Sequence, residues 1–149
     1  MAPSALMRVP LQGSSPEEIA AVGSIDEFRC ALPGGKRCVA RRTQGQESYT
    51  FHDLDPAQGV GRELARTRWI ENIFGDWALS PDGTEVALPI HDPKEAKIRV
   101  LSLDANAGPA EDELAIDGLA NISGLNWTAD GKGWFVVITT SVGTQLGAR

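Results

Sequence analysis

Short apolar runs of strand length alternate with turn-forming residues along this chain. The clearest example is Ser80-Pro81-Asp82-Gly83, with apolar runs at 76–79 and 85–88 on either side. Ser is favoured at the first position of a type I turn, Pro presets φ at the second, and Gly suits the fourth. Two apolar runs joined by such a turn predict a β-hairpin.

Similar turns recur at a regular interval of about 48 residues, as Pro33-Gly34-Gly35 and as Ala129-Asp130-Gly131. Both lie between apolar runs. The rest of the interval repeats as well, because 49–55 matches 98–104 with one residue of slippage. Each period therefore contains four short predicted strands.

A repeat of this length with four strands is typical of a β-propeller blade. We predict an all-β fold, a partial β-propeller of four-stranded antiparallel blades in a single domain over residues 1–149. The predicted units are two full blades and two incomplete ones, at 28–67, 76–117, 5–23 and 124–149. An antiparallel sandwich with coincidentally spaced turns is the alternative.

The incomplete units raise the question of what covers their faces. Propellers close rings of four to eight blades, because an open array leaves blade faces in water. We therefore expect either a fragment of a longer protein, which we favour, or an open array covered by another chain. The two half-units could also complement each other within one chain or between two, which would be self-association through open blade edges.

The turn at 80–83, the strand at 98–104 and the segment 125–133 together resemble the WD-like propeller repeat of TolB-type proteins. The resemblance covers most of the chain after about residue 25. Such repeats occur in periplasmic TolB, in bacterial sensor proteins and in the propeller halves of prolyl-oligopeptidase-like enzymes. The resemblance implies a binding platform in a bacterial protein without identifying its ligand. Pro33-Gly34-Gly35 departs from the Pro-Asp-Gly pattern.

The charge balance excludes two classes of partner. The formal net charge is −6, and no basic cluster is larger than a pair such as Arg41-Arg42. Nucleic-acid binding needs clustered Lys and Arg, and anionic membranes also favour basic surfaces, so neither is expected. No apolar stretch approaches the roughly 18 residues of a membrane helix, and no signal peptide is recognised. The compartment is left open: the chain could belong to the periplasm, or be a cytoplasmic or extracytoplasmic domain of a larger protein.

Cys30 and Cys38 lie symmetrically about Gly34, so a hairpin centred there places them opposite each other. A non-hydrogen-bonded pair of this kind is close enough for a disulfide. The alternative, which we favour, is two small core residues, because the counterparts Ala78 and Val86 are ordinary packing residues. No further Cys or His pair completes a zinc site, so no metal is expected.

We expect no enzyme activity and no cofactor from this chain. His52 is predicted to pack within a strand, and His91 follows a strand beside Asp92 without a nucleophile motif. Neither a Gly-x-Ser-x-Gly elbow nor a phosphate-binding loop is present. The side chains of Asp82 and Asp130 are expected to accept hydrogen bonds within their own turns. The structural turn residues are Pro81, Asp82, Gly83, Asp130 and Gly131.

Trp77, Trp127 and Trp134 fall in predicted strands and are expected to pack between blades. Trp69 instead lies in a connection between blades, which places it on one rim of a propeller. Trp and Arg are enriched at interface hot spots. We therefore define a candidate rim surface for a protein or peptide partner: Arg68, Trp69, Glu71, Asn72, His91 and Asp92.

Two functions fit these observations. The first is a non-catalytic binding or scaffold module that recognises a protein, peptide or small ligand through its rim. The alternative is the propeller portion of a prolyl-oligopeptidase-like hydrolase whose catalytic domain is absent from this chain.

Overall fold

The structure is a computed structural model, and it describes residues 5–21, 25–31, 37–55, 57–68, 76–90, 94–104, 111–117 and 122–138. Regular structure in these ranges consists of β-strands, without a helix. The strands are β1 (Ala5–Arg8), β2 (Glu17–Ala21), β3 (Glu27–Cys30), β4 (Cys38–Gln44), β5 (Ser48–Asp55), β6 (Gly59–Arg68), β7 (Ala78–Leu79), β8 (Glu85–Ile90), β9 (Ala96–Ser102), β10 (Glu111–Ile116), β11 (Ile122–Trp127) and β12 (Trp134–Ile138).

The strands form four antiparallel sheets in which each strand pairs with its neighbour in sequence. β3 to β6 make one four-stranded sheet and β7 to β10 make the second. β1–β2 and β11–β12 are two-stranded sheets among the described residues. The predicted all-β architecture of four-stranded antiparallel units is therefore confirmed.

The sheets stack face to face, so the strands inside the stack are buried on both sides. On β4, Cys38 and Ala40 pack in one cluster, with Leu6 of β1 partly buried against it. Val39, between them, belongs to the cluster that includes Trp77 and residues of β8. This alternation follows from strand geometry, in which successive side chains point to opposite faces.

The interface between the two four-stranded sheets is built around two aromatic rings. The rings of Phe51 and Trp77 are 5.3 Å apart and packed edge to face. Trp77 is 1% exposed, and its indole Nε1 donates a hydrogen bond of 2.8 Å to Oε2 of Glu27. A buried indole N–H needs such an acceptor. The hydrogen bond therefore ties β3 to the start of the next sheet.

The β11–β12 hairpin packs on the other face of the second sheet. Its tryptophans, Trp127 and Trp134, have ring centroids 4.9 Å apart. Both are partly buried against a cluster that includes Ala78 and Ala87. The indole Nε1 of Trp127 donates to the backbone carbonyl of Ala78 at 3.3 Å. The tryptophans that the sequence assigns to inter-blade packing lie between sheets.

A buried arginine adds a polar tie between the two four-stranded sheets. The Arg99 side chain is 4% exposed, and its Nη1 donates to Oγ1 of Thr67 on β6 at 2.9 Å. Its Nη2 lies 2.8 Å from Oε1 of Glu113, and its Nε lies 2.9 Å from Oε1 of Glu111. A buried guanidinium is tolerated only with such partners. The acidic start of β10 therefore holds Arg99 in place.

The two recurring turns that the structure describes, at 80–83 and 128–131, share one set of hydrogen bonds. In the first, Gly83 has φ 75° and its N–H donates to the carbonyl of Ser80 at 2.9 Å. Oγ of Ser80 donates to Oδ1 of Asp82 at 2.7 Å. In the second, Oγ1 of Thr128 donates to Oδ1 of Asp130 at 2.6 Å. The two turns therefore share the hydrogen bond from a hydroxyl group to the aspartate two residues later, in addition to their backbone conformation.

Candidate binding site

The first strands of three consecutive sheets, β3, β7 and β11, lie side by side and border a cleft of about 700 Å³. We call this the inner-strand cleft. Its volume falls in the range of roughly 300–1,000 Å³ that is typical of ligand pockets. Its lining residues include Arg29, Asp76, Trp77, Leu125, Asn126 and Phe135.

The floor of the inner-strand cleft is apolar and aromatic. Trp77 and Leu125 are buried members of the two inter-sheet clusters, so their positions are fixed by packing. Phe135 is 71% exposed. Leu79 and Trp127 also line the cleft and are partly buried, so they provide apolar contact area for a ligand with little loss of side-chain freedom.

The polar groups of the cleft point to a ligand with hydrogen-bonding and charged groups. The side chains of Asp76 and Asn126 make no hydrogen bond or ion pair with the other described residues. Arg29 lies over the ring of Trp77, with its Cζ 5.5 Å from the ring centroid, and its Nη2 is 3.7 Å from Oε2 of Glu27. The cleft therefore offers a carboxylate and a carboxamide to a ligand, and a guanidinium that is already oriented.

A disulfide joins Cys30, which lines the cleft, to Cys38. The two residues are register partners, with Cα atoms 4.0 Å apart. The N–H of Ala31 donates to the carbonyl of Arg37 at 2.9 Å, so the cysteines occupy a non-hydrogen-bonded pair. Of the two interpretations of this pair, the structure has the disulfide.

The predicted counterparts of the two cysteines in the second four-stranded sheet, Ala78 and Val86, are not register partners, so the prediction is wrong by one residue. Val86 pairs with Leu79, whereas the prediction assigned Ala78. The connection between Cys30 and Cys38 is one residue longer than the one between Leu79 and Val86. The extra residue falls within 32–36, the segment with Pro33-Gly34-Gly35, which lies outside the described residues.

One of the six residues of the candidate rim surface, Arg68, lies in the described part of the chain. It is the exposed last residue of β6, and its backbone carbonyl accepts a hydrogen bond of 3.4 Å from Nη1 of Arg99. The remaining five, which lie outside the described residues, are Trp69, Glu71, Asn72, His91 and Asp92. The rim surface therefore stays a prediction.

His52 lies within the β-sheet, in agreement with a packing role. Its Nε2 is 3.1 Å from Oγ1 of Thr50, and its Nδ1 is 3.3 Å from the carbonyl of Gly61. In the ranges that the structure describes, no group of three His, Cys, Asp or Glu residues is placed to hold a metal ion. The same ranges contain no helix with the length and apolar character needed to cross a membrane.

The sequence did not single out the polar residues of the inner-strand cleft. Arg29, Ala78 and Asn126 occupy equivalent places, because each lies two residues before the backbone N–H that closes its hairpin turn, which belongs to Ala31, Ser80 and Thr128 in turn. A search for polar residues at this repeated place would have found Arg29 and Asn126. Asp76 precedes its strand, so only the structure brings it into the cleft.

No protein-family model matches the chain, and no curated protein sequence matches it. Among solved structures, the chain is similar to TolB from Acinetobacter baumannii, with 14% identity and a TM-score of 0.53 over 87% of this chain and 31% of TolB. It is also similar to a chain of a nidogen/laminin complex, with 19% identity and a TM-score of 0.51 over 90% of this chain and 48% of that one.

The chain thus spans about a third to a half of the length of the solved chains it matches. At these identities the likeness concerns the fold, and it confirms a partial β-propeller of four-stranded antiparallel blades, about two full blades with two incomplete ones. The resemblance to TolB therefore holds for the fold, without a sequence family.

Proposed function

We propose that this chain is a non-catalytic binding module that holds a polypeptide segment in the inner-strand cleft. The observation that carries the proposal is the combination of an apolar floor with polar groups that have no partner among the described residues. Specific binding sites combine these two features, since apolar contact provides affinity and a few polar groups fix the orientation.

The chemistry of the cleft favours a segment with one basic and one apolar side chain. The carboxylate of Asp76 would accept hydrogen bonds from a Lys or Arg of the ligand, and charge-assisted hydrogen bonds are stronger than neutral ones. The partly buried side chains of Leu79 and Trp127, which also line the cleft, would contact the apolar side chain. The net charge of −6 also attracts basic partners over distance.

The fold comparisons support a binding role at a coarser level. One similar chain belongs to a nidogen/laminin complex, so a chain of this fold takes part in a protein complex there. Because fold alone does not assign a ligand, the proposal depends on the residues of the cleft. The rim surface around Arg68 and Trp69 is a second location for the same function.

The proposal is tested by selecting binders from a displayed library of random peptides on immobilised residues 1–149 and titrating the selected peptides. We expect Asp76→Asn to weaken the peptides about tenfold, the loss of one charge-assisted hydrogen bond of about 1.4 kcal/mol. Asp117→Asn, which removes an exposed carboxylate beyond β10, is the matched control and should leave affinity unchanged.

Two results would contradict this assignment. If no peptide is enriched, the binding function itself is wrong. If peptides bind equally well to the Asp76→Asn/Asn126→Ala variant and lose affinity with Arg68→Ala/Trp69→Ala, the binding surface is the rim.

A further inference from the structure

One face of the first four-stranded sheet is covered only in part by the described residues. Phe28 lies opposite Ala40, on the face that the sheet turns toward the β1–β2 hairpin. β2 contacts β6, the last strand of that sheet, so the hairpin covers the outer part of the face. Phe28 is 46% exposed as a result.

The opposite end of the stack carries a second uncovered apolar face. On β12, Trp134 and Val136 pack toward the second four-stranded sheet, while Phe135 and Val137 point away from it and are exposed. Phe135 and Ala87 occupy equivalent places in their hairpins. Phe135 follows the register partner of Trp127, and Ala87 follows the register partner of Leu79. Ala87 is fully buried by the next hairpin. The face of β12 that carries Phe135 therefore corresponds to a face that a neighbouring sheet covers in the second four-stranded sheet, and no described residue covers it here.

The two hairpins are complementary halves of one sheet. β11 contacts β7 and β8, so β11–β12 occupies the positions of the first two strands of a blade. β1–β2 lies beside β6, in the positions of the last two strands. The outer edge of β12 has no partner strand in the described part of the chain, and neither has the corresponding edge of β1.

We propose that two copies of this chain join head to tail, so that β11–β12 of one copy and β1–β2 of the other form a composite four-stranded sheet. Phe135 and Val137 of one copy then pack against the face that holds Phe28 of the other. The two junctions are equivalent by a twofold axis, and the dimer closes without a free end.

The resulting ring has six four-stranded sheets: two from each chain and two composite ones. This number falls within the four to eight blades of known propellers. The chain covers 48% of the length of the similar chain from the nidogen/laminin complex, so two copies provide about the length of one chain of that kind. Closure also removes the exposed strand edges that promote aggregation.

The first experiment measures the mass of residues 1–149 in solution by light scattering and sedimentation over a range of concentrations. We expect a dimer, twice the 15.9 kDa of one chain. Phe135→Asp and Phe28→Asp should each shift the mass to 15.9 kDa, because a charge would enter an apolar interface. Both side chains are exposed in the single chain, so its circular dichroism should be unchanged.

The control variant is Leu11→Asp, which places the same charge at a fully exposed residue in the turn between β1 and β2. It should leave the dimer intact. A mass of 15.9 kDa at all concentrations for the wild type would overturn the proposal, because the edge of β12 would then be covered within the chain. A mass that keeps rising with concentration would also overturn it, because the array would be open.

The head-to-tail arrangement is tested with a short bis-maleimide. A chain with Phe135→Cys is mixed with a chain with Phe28→Cys, the native cysteines being held in their disulfide. We expect cross-linked dimers in the mixture and none with either variant alone, since the twofold axis separates equivalent residues. Cross-linking of either variant alone would overturn the arrangement. The binding function is probed through Asp76, so the two proposals fail independently.

Discussion

Single side chains determine the recurring turns of this protein. Ser80 and Thr128 use their hydroxyl groups in the same way, each donating to the aspartate two residues later. In the first turn, Thr84 adds a hydroxyl and a backbone N–H to Oδ1 of Asp82, at 2.7 and 3.1 Å. These donors favour the ionised carboxylate, so the hydrogen bonds from Ser80 and then Thr84 hold the pKa of Asp82 below its ordinary value.

The lowered pKa of Asp82 predicts a pH dependence of stability. The ionised carboxylate stabilises the folded chain at pH values above the ordinary pKa of 3.8, and this contribution is lost as pH falls through the lower folded pKa. Urea titrations across the acid range should show that the unfolding free energy of the wild type falls more steeply than that of Asp82→Asn. Parallel curves for the two proteins would show that the turn contributes nothing to acid sensitivity.

The turns are also where sequence reasoning is most reliable. A turn such as 80–83 is specified by neighbouring residues, so its bonds can be anticipated without the rest of the fold. The inner-strand cleft is different, because Asp76 and Asn126 come to line one cleft only when separate sheets stack. Their roles depend on contacts between distant parts of the chain, which no local pattern records.

Among the secondary-structure elements, the β3–β4 hairpin is the one with a covalent constraint. β3 has four residues and pairs only with β4 within its sheet. The disulfide fixes the end of β3 to the buried start of β4, beside the cleft. It therefore stabilises an inner strand that has few other hydrogen-bonded partners.

Reduction of the disulfide should destabilise the folded chain by about 2 kcal/mol, as expected for a loop of this short length. The measurement is the free energy of unfolding in denaturant, with and without a thiol reductant. The Cys30→Ala/Cys38→Ala variant is the control, because its stability should not respond to the reductant. If the wild type is also insensitive to reductant, the bond contributes no stability.

The strands themselves were predictable to different degrees. The four strands of each period follow from apolar runs and turn residues, which are local signals. The counterpart of Cys30 was misplaced by one residue, because equal turn spacing does not reveal the longer connection to Cys38. In a sheet, a shift of one residue exchanges the faces, so this small error changes which neighbours a residue contacts.

Across the whole molecule, burial decreases from the middle of the stack to its ends. The two four-stranded sheets pack on each other and on a hairpin at their other faces. The terminal hairpins have one covered face each, and β12 exposes Phe135 and Val137. Apolar burial, and with it local stability, is therefore concentrated in the central sheets.

This gradient predicts the order of amide hydrogen exchange. Amides of β4, β5, β8 and β9 should exchange slowest, because these strands have partners on both edges and buried faces. Amides of β1 and β2 should exchange fastest in dilute protein, and β12 and β1 should gain protection at concentrations where dimers form. Exchange measured by mass spectrometry at two concentrations tests both statements, and uniform rates along the chain would contradict them.

The buried Arg99 has a consequence for the order of the units along the gene. Apolar faces are interchangeable, so either four-stranded sheet could in principle follow the other. Arg99, however, finds Thr67 and the carbonyl of Arg68 only on the sheet that precedes its own. A shuffled gene with the two units exchanged would keep every hairpin but leave this guanidinium facing the wrong neighbour. The arginine thus encodes which unit comes first, and the repeats are not freely exchangeable modules.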